Sequence, residues 1–422
     1  MKYLFSFVTL AFFLFSCTKK KDLPLFELQE HTGIEFNNKI VDGPLENSFL
    51  FRNFYNGGGV AIGDINNDGL ADVMLTSNMG ENKLYLNKGG MKFEDISTAS
   101  GLKQDSMWST GVTFVDINND GWLDIYVCNS GHMTDGNRKN KLYINNHTTT
   151  SNGNTIVTFT ESAAQYGLDI SAYCTQASFF DYDKDGDLDM FLINQSSPEY
   201  SKGKVQNLQL RFQRGDTTLE NKLYRNDNGH FVNVSAQSGI GSNKLTFSLG
   251  VSTADINQDG WPDIYVSNDF KEPDYLYINN KDGTFKGNLD QQINHTSLFS
   301  MGIDINDYNN DLLPDIAELD MLPEDNHALK MHLGADNFDE YNFLFKKGMP
   351  RQYMKNILQK NNGDGTFSEI GQLAGIANTD WSWAPLFADF DNDGWKDLFI
   401  SNGYKRNNTD MEFLKYSMAQ VL

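Results

Sequence analysis

Residues 112–127 read Val-Thr-Phe-Val-Asp-Ile-Asn-Asn-Asp-Gly-Trp-Leu-Asp-Ile-Tyr-Val, two apolar-rich segments around a turn that carries an oxygen donor on every second residue. The turn holds Asp116, Asn118, Asp120, Gly121 and Asp124, the first, third, fifth, sixth and ninth positions of one loop. Oxygen ligands spaced in this way converge on a single hard cation, and glycine supplies the sharp backbone turn that wraps the chain around it. Alone, an Asn-Asp-Gly stretch reads as an ordinary hairpin turn. It does not stand alone. The pattern recurs at Asp64, Asn66, Asp68, Gly69 and Asp72, and at Asp181, Asp183, Asp185, Gly186 and Asp189, where all four oxygen donors are carboxylates. It recurs again at Asp255, Asn257, Asp259, Gly260 and Asp263, and at Asp389, Asp391, Asp393, Gly394 and Asp397. A sixth copy, Asp307, Asn309, Asp311 and Asp315, places Leu312 where the others have glycine, so this loop is expected to be the weakest.

An EF-hand would need a bidentate Glu at position twelve and a helix on each side. Position twelve is Leu75, Val127, Leu192, Val266, Glu318 and Ile400, and the flanking segments follow strand periodicity. Each loop therefore joins two strands. Dockerin modules pair two loop-helix units close together, whereas the first two loops here start at residues 64 and 116. Downstream of the loops come Asn82-Lys83-Leu84-Tyr85, Asn140-Lys141-Leu142-Tyr143, Asn221-Lys222-Leu223-Tyr224, Tyr275-Leu276-Tyr277 and the weaker Asn356-Ile357-Leu358. A Phe-led segment follows each of these, at Phe93, Phe159, Phe231, Phe285 and Phe367. Four short strands per unit, repeated along the chain, predict an all-β fold: a β-propeller of four-stranded antiparallel blades with helical insertions. One blade cannot bury both of its faces, so neighbours must stack.

Loop, flanking strands, Leu-Tyr strand and Phe strand recur together over residues 24–404, and in this the chain resembles the FG-GAP and VCBS repeat family, whose blades resemble integrin α-subunit propellers. The stretches 54–64 and 378–402 resemble the surface lipoproteins of Bacteroidetes that carry a C-terminal ASPIC/UnbV module, although no residues matching that module follow. The resemblance implies six calcium-loop blades of a seven-bladed ring, with calcium as the bound ion. The sixth unit lacks its Leu-Tyr strand, so an incomplete ring in a chain cut short is expected, with a strand around Phe26 as a closing clasp on the last blade.

The chain has 422 residues, with 34 Lys plus Arg against 56 Asp plus Glu. A formal charge of −22 repels phosphate backbones and anionic membrane surfaces, which excludes nucleic acid as a partner. Residues 1–16 read as a signal peptide: Met1-Lys2, then an apolar run over 3–15 too short to span a bilayer. Leu14-Phe15-Ser16-Cys17 resembles a bacterial lipobox, which implies lipidation at Cys17, a tether over 17–23, and export to the outer membrane or cell surface of a Gram-negative bacterium. The membrane is then met through the lipid anchor only. Cys128 and Cys174 remain, either as one disulfide or as two buried thiols. Residues 405–422 are expected to form a helical C-terminal segment.

No His-Glu-x-x-His or Gly-x-Ser-x-Gly pattern occurs, and the loops account for most of the clustered carboxylates. The reading is therefore not an enzyme but a calcium-stabilised cell-envelope scaffold for binding or adhesion, recognising a protein or polysaccharide. The alternative is a propeller-based polysaccharide lyase or hydrolase. Trp122, Trp261 and Trp395 sit at position seven of their loops and read as lids over the metal, with platforms for a sugar as the second reading. Long insertions at 196–220 and 322–353, and a shorter one at 130–139, all follow a second strand. Antiparallel strand order puts them on the face opposite the loops, where the ligand is expected. The aromatics Phe338, Tyr341, Phe343 and Phe345 in the 322–353 insertion either pack it onto the disc or meet that ligand.

Overall fold

The computed structural model describes residues 24–44, 46–48, 51–102, 107–131, 138–149, 155–195, 219–241, 243, 245–270, 272–331, 338–404 and 410–412. The leader, Cys17, the tether, most of the 196–220 insertion and residues 413–422 lie outside the described residues.

Each acidic loop closes a hairpin, and the Leu-Tyr and Phe segments add two further strands. The first sheet holds β1 (Val60–Gly63), β2 (Asp72–Leu75), β3 (Lys83–Asn87) and β4 (Phe93–Asp95). The second holds β5 (Trp108–Val115), β6 (Asp124–Ser130), β7 (Lys141–Asn145) and β10 (Phe159–Glu161), with the side hairpin β8 (Thr148–Thr149) and β9 (Thr155–Ile156) inserted before its last strand. The third is β11 (Cys174–Phe180), β12 (Asp189–Asn194), β13 (Lys222–Asn226) and β14 (Phe231–Asn233). The fourth is β15 (Ser248–Ala254), β16 (Asp263–Asn268), β17 (Tyr275–Asn279) and β18 (Phe285–Gly287). Between it and the next lies β19 (His295–Ser297), parallel to β22 (Arg351–Tyr353). The fifth sheet is β20 (Ile303–Asn306), β21 (Asp315–Glu318), β23 (Ile357–Asn361) and β24 (Phe367–Glu369), and the sixth is β25 (Ser382–Ala388) with β26 (Asp397–Asn402). Among the described residues, five sheets are thus four-stranded and antiparallel, and the last has two strands.

Inner strands pack side by side in chain order, β1 on β5, β5 on β11, β11 on β15, β15 on β20 and β20 on β25. Residues at or beside all six line one cavity of about 280 Å³, among them Gly59, Gly111, Gln176, Gly250, Gly302 and Pro385. The sheets therefore radiate from a common axis, a β-propeller-like arrangement. Close approach at the axis explains the glycines. A Cβ on Gly111 would lie 2.5 Å from the Thr175 carbonyl oxygen, and one on Gly302 would fall on the Trp383 carbonyl oxygen.

Side chains alternate along each second strand, so each sheet feeds two cores. Met190 of β12 faces the second sheet with Tyr126 and Leu142, while its neighbour Phe191 faces the fourth with Ile264 and Tyr277. Tyr265 and Leu276 meet Ile316 in the next layer, and Ala317 and Leu358 meet Phe387 in the one after. Each such aromatic or large aliphatic side chain stabilises the stack by about 1.5–3 kcal/mol. The two ends of the series lack this cover. Val60 and Ile62 of β1 are 57% and 66% exposed, although the corresponding Val112 of β5 is buried against the first sheet. At the other end, Leu386 of β25 and Phe399 of β26 are also exposed.

The expected Phe26 strand is not formed. Phe26 instead sets its ring against Phe390 and Phe399 of the last hairpin, at centroid distances of 5.2 and 6.4 Å. The backbone of this segment bonds the first sheet: the Phe93 N–H donates to the Thr32 carbonyl at 2.7 Å, and the Tyr85 hydroxyl to the Glu35 carbonyl at 2.7 Å. A side-chain clasp replaces the strand clasp. Cys128 and Cys174 are both buried and free, which settles their alternative as thiols.

Candidate metal centres

The six loops share one hydrogen-bond frame, set by their oxygen spacing. In the first, Asp64 accepts the Asp68 N–H at 3.0 Å on Oδ1 and the Gly69 N–H at 2.7 Å on Oδ2. The Asn66 side-chain oxygen accepts the same Asp68 N–H at 3.1 Å, and Asp68 Oδ1 accepts the Leu70 N–H at 2.9 Å. Asp116, Asp181, Asp255, Asp307 and Asp389 hold the equivalent position-five amides at 2.9–3.2 Å. Position four takes a positive φ in every copy: Asn67, Asn119, Lys184, Gln258, Asn310 and Asn392. Leu312 is forced into the same left-handed region as the glycines it replaces, with φ 68°, and its side chain is 80% exposed. Replacing Leu312 with Gly is therefore expected to stabilise the protein by about 1 kcal/mol, read as a higher melting temperature.

The ninth-position carboxylates anchor the loops to the sheets. Asp124 accepts the Ile117 N–H at 3.2 Å and the Asn145 N–H at 2.7 Å, tying the loop to the end of the third strand. Asp72, Asp189 and Asp263 repeat the arrangement with Asn87, Asn226 and Asn279, and Asp315 bonds the Asn361 N–H. Among the described residues Asp397 accepts only the Phe390 N–H, at 3.1 Å, and its sheet has two strands. Burial drives these carboxyl groups up, Asp72, Asp263 and Asp315 to about 6, Asp124 to about 7 and Asp189 to about 8, and loop carboxylates nearby add to the effect. A cation in the loop would reverse that shift.

The third-strand asparagines were missed in the sequence reading. Their side chains turn back on the loops: Asn145 Nδ2 donates to the Leu123 carbonyl at 3.2 Å and to the Ile65 carbonyl of the preceding loop at 2.9 Å. Asn279 and Asn361 repeat this toward Tyr182 and Ile256. Five copies of Asn, two residues after the Leu-Tyr pair or its equivalent, were the available signal. Loops also touch in sequence, as Asn67 Nδ2 donates to the Gly121 carbonyl at 3.0 Å and Asn310 Nδ2 to the Gly394 carbonyl at 2.8 Å. Two of the expected lids meet the neighbouring side chains: Trp122 stacks on His147 at 6.0 Å, and Lys184 Nζ stands 4.8 Å over the Trp261 ring. Trp395 is exposed.

Three loops bring three carboxylates with oxygens within 4.8 Å of one another: Asp181, Asp183 and Asp189; Asp307, Asp311 and Asp315; Asp389, Asp391 and Asp397. Asp183 Oδ1 is buried and accepts no hydrogen bond. Oxygen-only donors, mutual carboxylate repulsion and an orphaned buried oxygen suit a hard metal ion. On the other three loops, asparagine at position three replaces one carboxylate while keeping an oxygen donor.

Strand reversal places the connections between second and third strands at the opposite end of each sheet. There the 322–353 insertion forms helices Asn326–Met331 and Phe338–Lys346 and then β22. Tyr341 stacks on Tyr353 at 5.5 Å, with their hydroxyls 3.0 Å apart, while Phe338, Phe343, Phe345 and Tyr353 are exposed. Arg351 lies 4.9 Å over the Phe345 ring and Lys347 lies 5.7 Å over that of Phe343.

Radiating antiparallel sheets closed by acidic hairpin loops define a β-propeller-like repeat protein. The chain belongs to the FG-GAP-like repeat family, whose model matches residues 64–127, 212–266, 255–317 and 349–400, together more than half of the sequence. Cartilage acidic protein 1 of Xenopus tropicalis is 32% identical over 146 residues, covering 34% of this chain and 21% of that protein. The chain thus matches about a fifth of the length of this curated relative. Among solved structures, an Agrocybe aegerita lectin specific for non-reducing terminal N-acetylglucosamine is 14% identical with a TM-score of 0.34, covering 81% of this chain and 70% of the lectin. The inulosucrase of Halalkalicoccus jeotgali is 10% identical with a TM-score of 0.38, covering 81% of this chain and 92% of the enzyme. Likeness at these scores transfers no property to this chain.

Proposed function

We propose that this protein is a calcium-stabilised binding scaffold of the cell envelope, exported and lipid-anchored through Cys17, that takes a protein or polysaccharide on the face opposite its acidic loops. FG-GAP repeats themselves suggest an adhesion-type or binding scaffold. The observation that carries the reading is the exposed aromatic group of the 322–353 insertion, Phe343, Phe345 and Tyr353, flanked by Lys347 and Arg351. Aromatics merely packing the insertion onto the sheets would be buried. Exposed aromatic rings beside cations on a loop over a rigid body are what a ligand surface requires. Calcium is the ion of choice, since the donors are all oxygen, and the metal ligands are the twenty-four Asp and Asn residues at positions one, three, five and nine.

The reading is of binding without turnover, and of a Gram-negative surface lipoprotein of the kind found in Bacteroidetes. The exposed Val60 and Ile62 at one end and Leu386 at the other support the expectation of a seventh blade between the first and sixth sheets. The test is capture from envelope extract with the calcium-loaded protein and with a variant whose residues 322–353 are replaced by a short Gly-Ser linker. Capture is expected to disappear in the variant while calcium binding stays near normal. Retained capture, or capture lost only on mutation of the loop face, overturns the assignment.

A further inference from the structure

A second kind of acidic site lies inside the molecule, between the fourth and fifth sheets. In four units an asparagine precedes the third strand and braces the end of the second: Asn82, Asn140, Asn221 and Asn356 each accept a backbone N–H on Oδ1, at 2.8–2.9 Å. Their Nδ2 groups donate onward, Asn82 to Ser109 Oγ at 3.1 Å and Asn221 to Ser248 Oγ at 2.9 Å, serines that begin the inner strand of the next sheet. The fourth unit departs from this. Asp274 takes the asparagine position and keeps the brace, accepting the Asn268 N–H at 2.8 Å on Oδ1, but its Oδ2 stands where a donor stands elsewhere. The serine equivalent to Ser109 and Ser248 is Ser300.

A second departure faces the first across the same interface. Position twelve is aliphatic in five loops, yet in the fifth it is Glu318, fully buried. Asp274 Oδ2, both carboxylate oxygens of Glu318, Ser300 Oγ and the Tyr265 hydroxyl are all buried and none finds a partner in full hydrogen-bond geometry, their polar neighbours being one another, the Thr296 hydroxyl and the Ser297 backbone. Asp274 and Glu318 interact directly, with Ser300 and Tyr265 against them. Burial holds both carboxyls above their usual range, and the Asp274 charge raises Glu318 further. Among the described residues of the adjoining strands the basic side chains are engaged elsewhere: His295 and Lys355 with Glu369, Arg351 over Phe345, and Lys360 with Asp311. Asp320, nearby in sequence, is satisfied by the Ser297 hydroxyl and the Leu298, Phe299 and Met321 N–H groups.

Two buried carboxylates without a counter-charge are strongly unfavourable, and five buried oxygens gathered at one interface without a well-formed hydrogen bond form a donor set for a hard cation. We propose that Asp274 and Glu318, with Ser300 and Tyr265, hold a divalent cation of the calcium class between the fourth and fifth sheets, separate from the six loops. Two carboxylates match its charge, and their pairing across the interface would clamp the two sheets.

The repeat supplies conservative variants, because Asp274→Asn and Glu318→Val each install what the other units carry and should leave the fold intact. The experiment measures bound calcium per chain by equilibrium dialysis against 10 mM calcium, where the loops are filled, for the wild type, both variants and Asp189→Asn. Each interface variant is expected to lose one equivalent while keeping the ions of the loops, and Asp189→Asn should lose a loop ion only. An unchanged count in Asp274→Asn and Glu318→Val, whether or not the wild-type loops are filled, overturns the proposal. So does an unchanged count with higher stability at alkaline pH, which would show that the pair shares a proton instead.

Discussion

In excess chelator the protein is expected to melt at least roughly 10 °C lower than in 10 mM calcium. With dissociation constants of roughly 10⁻⁴ to 10⁻³ M, each filled loop contributes on the order of 1.5–3 kcal/mol at that concentration. Six loops together contribute on the order of 10 kcal/mol, against an unfolding entropy that grows with chain length. Six divalent ions would also bring the formal charge of −22 to about −10, relieving self-repulsion. The pH dependence has a definite sign. Without metal, the folded-state values of about 6 to 8 for Asp72, Asp124, Asp189, Asp263 and Asp315 exceed the ordinary 3.8. The ion-free fold therefore binds these protons more tightly than the unfolded chain does, and the resulting stability is lost as pH rises from about 4 to 8. Calcium requires the ionised carboxylates, so its contribution grows over the same interval. Melting curves with chelator and with calcium should converge near pH 5 and diverge toward pH 8. Parallel curves, or a melting temperature indifferent to chelator, would contradict the role given to the loops.

The second large effect is a contrast between two ninth-position carboxylates. Asp189 is fully buried and bonds both the Tyr182 N–H and the Asn226 N–H, at 3.1 and 2.9 Å, so it joins the loop to the third strand. Asn in its place keeps one acceptor and sets an N–H donor against an N–H donor. In calcium, Asp189→Asn should cost about 3 kcal/mol, from one unsatisfied buried amide and a weakened ion site. Asp397→Asn should cost about 1 kcal/mol, because its ion site is weakened but no amide of a third strand is left unsatisfied, the Phe390 N–H being its one recorded hydrogen-bond donor. Thermal unfolding of the two variants in parallel checks this, and equal losses would show that the ninth position acts through the metal alone.

Much of this fold was legible because the repeat states it six times. Oxygen spacing identified the loops, and the Leu-Tyr and Phe segments located the outer strands. The two-stranded sixth sheet followed from the missing Leu-Tyr segment. What escaped depended on contacts between units. The axial glycines, including Gly59, Gly111, Gly250 and Gly302, repeat in register, but their cause is the carbonyl of the next sheet, which no single unit contains. The β8–β9 hairpin has no counterpart in the other units, so the repeat gave no warning of it. Phe26 sits in an apolar context that suggested a strand, whereas its backbone partners lie on the first sheet and only its ring reaches the last. Glu318 stands out at position twelve while Asp274 lies just outside the Leu-Tyr segment of its unit, and they become a pair only when the fourth and fifth sheets are stacked.

The role proposed for the six loops requires that they hold ions. The most direct measurement is a crystal structure grown in 10 mM calcium, with anomalous scattering used to locate the metal. The prediction is an ion in each of the six loops, ligated at roughly 2.3–2.6 Å by the position one, three, five and nine side chains, weakest at the loop that carries Leu312. Loops that keep this backbone and these hydrogen bonds with no ion in any of them would contradict it.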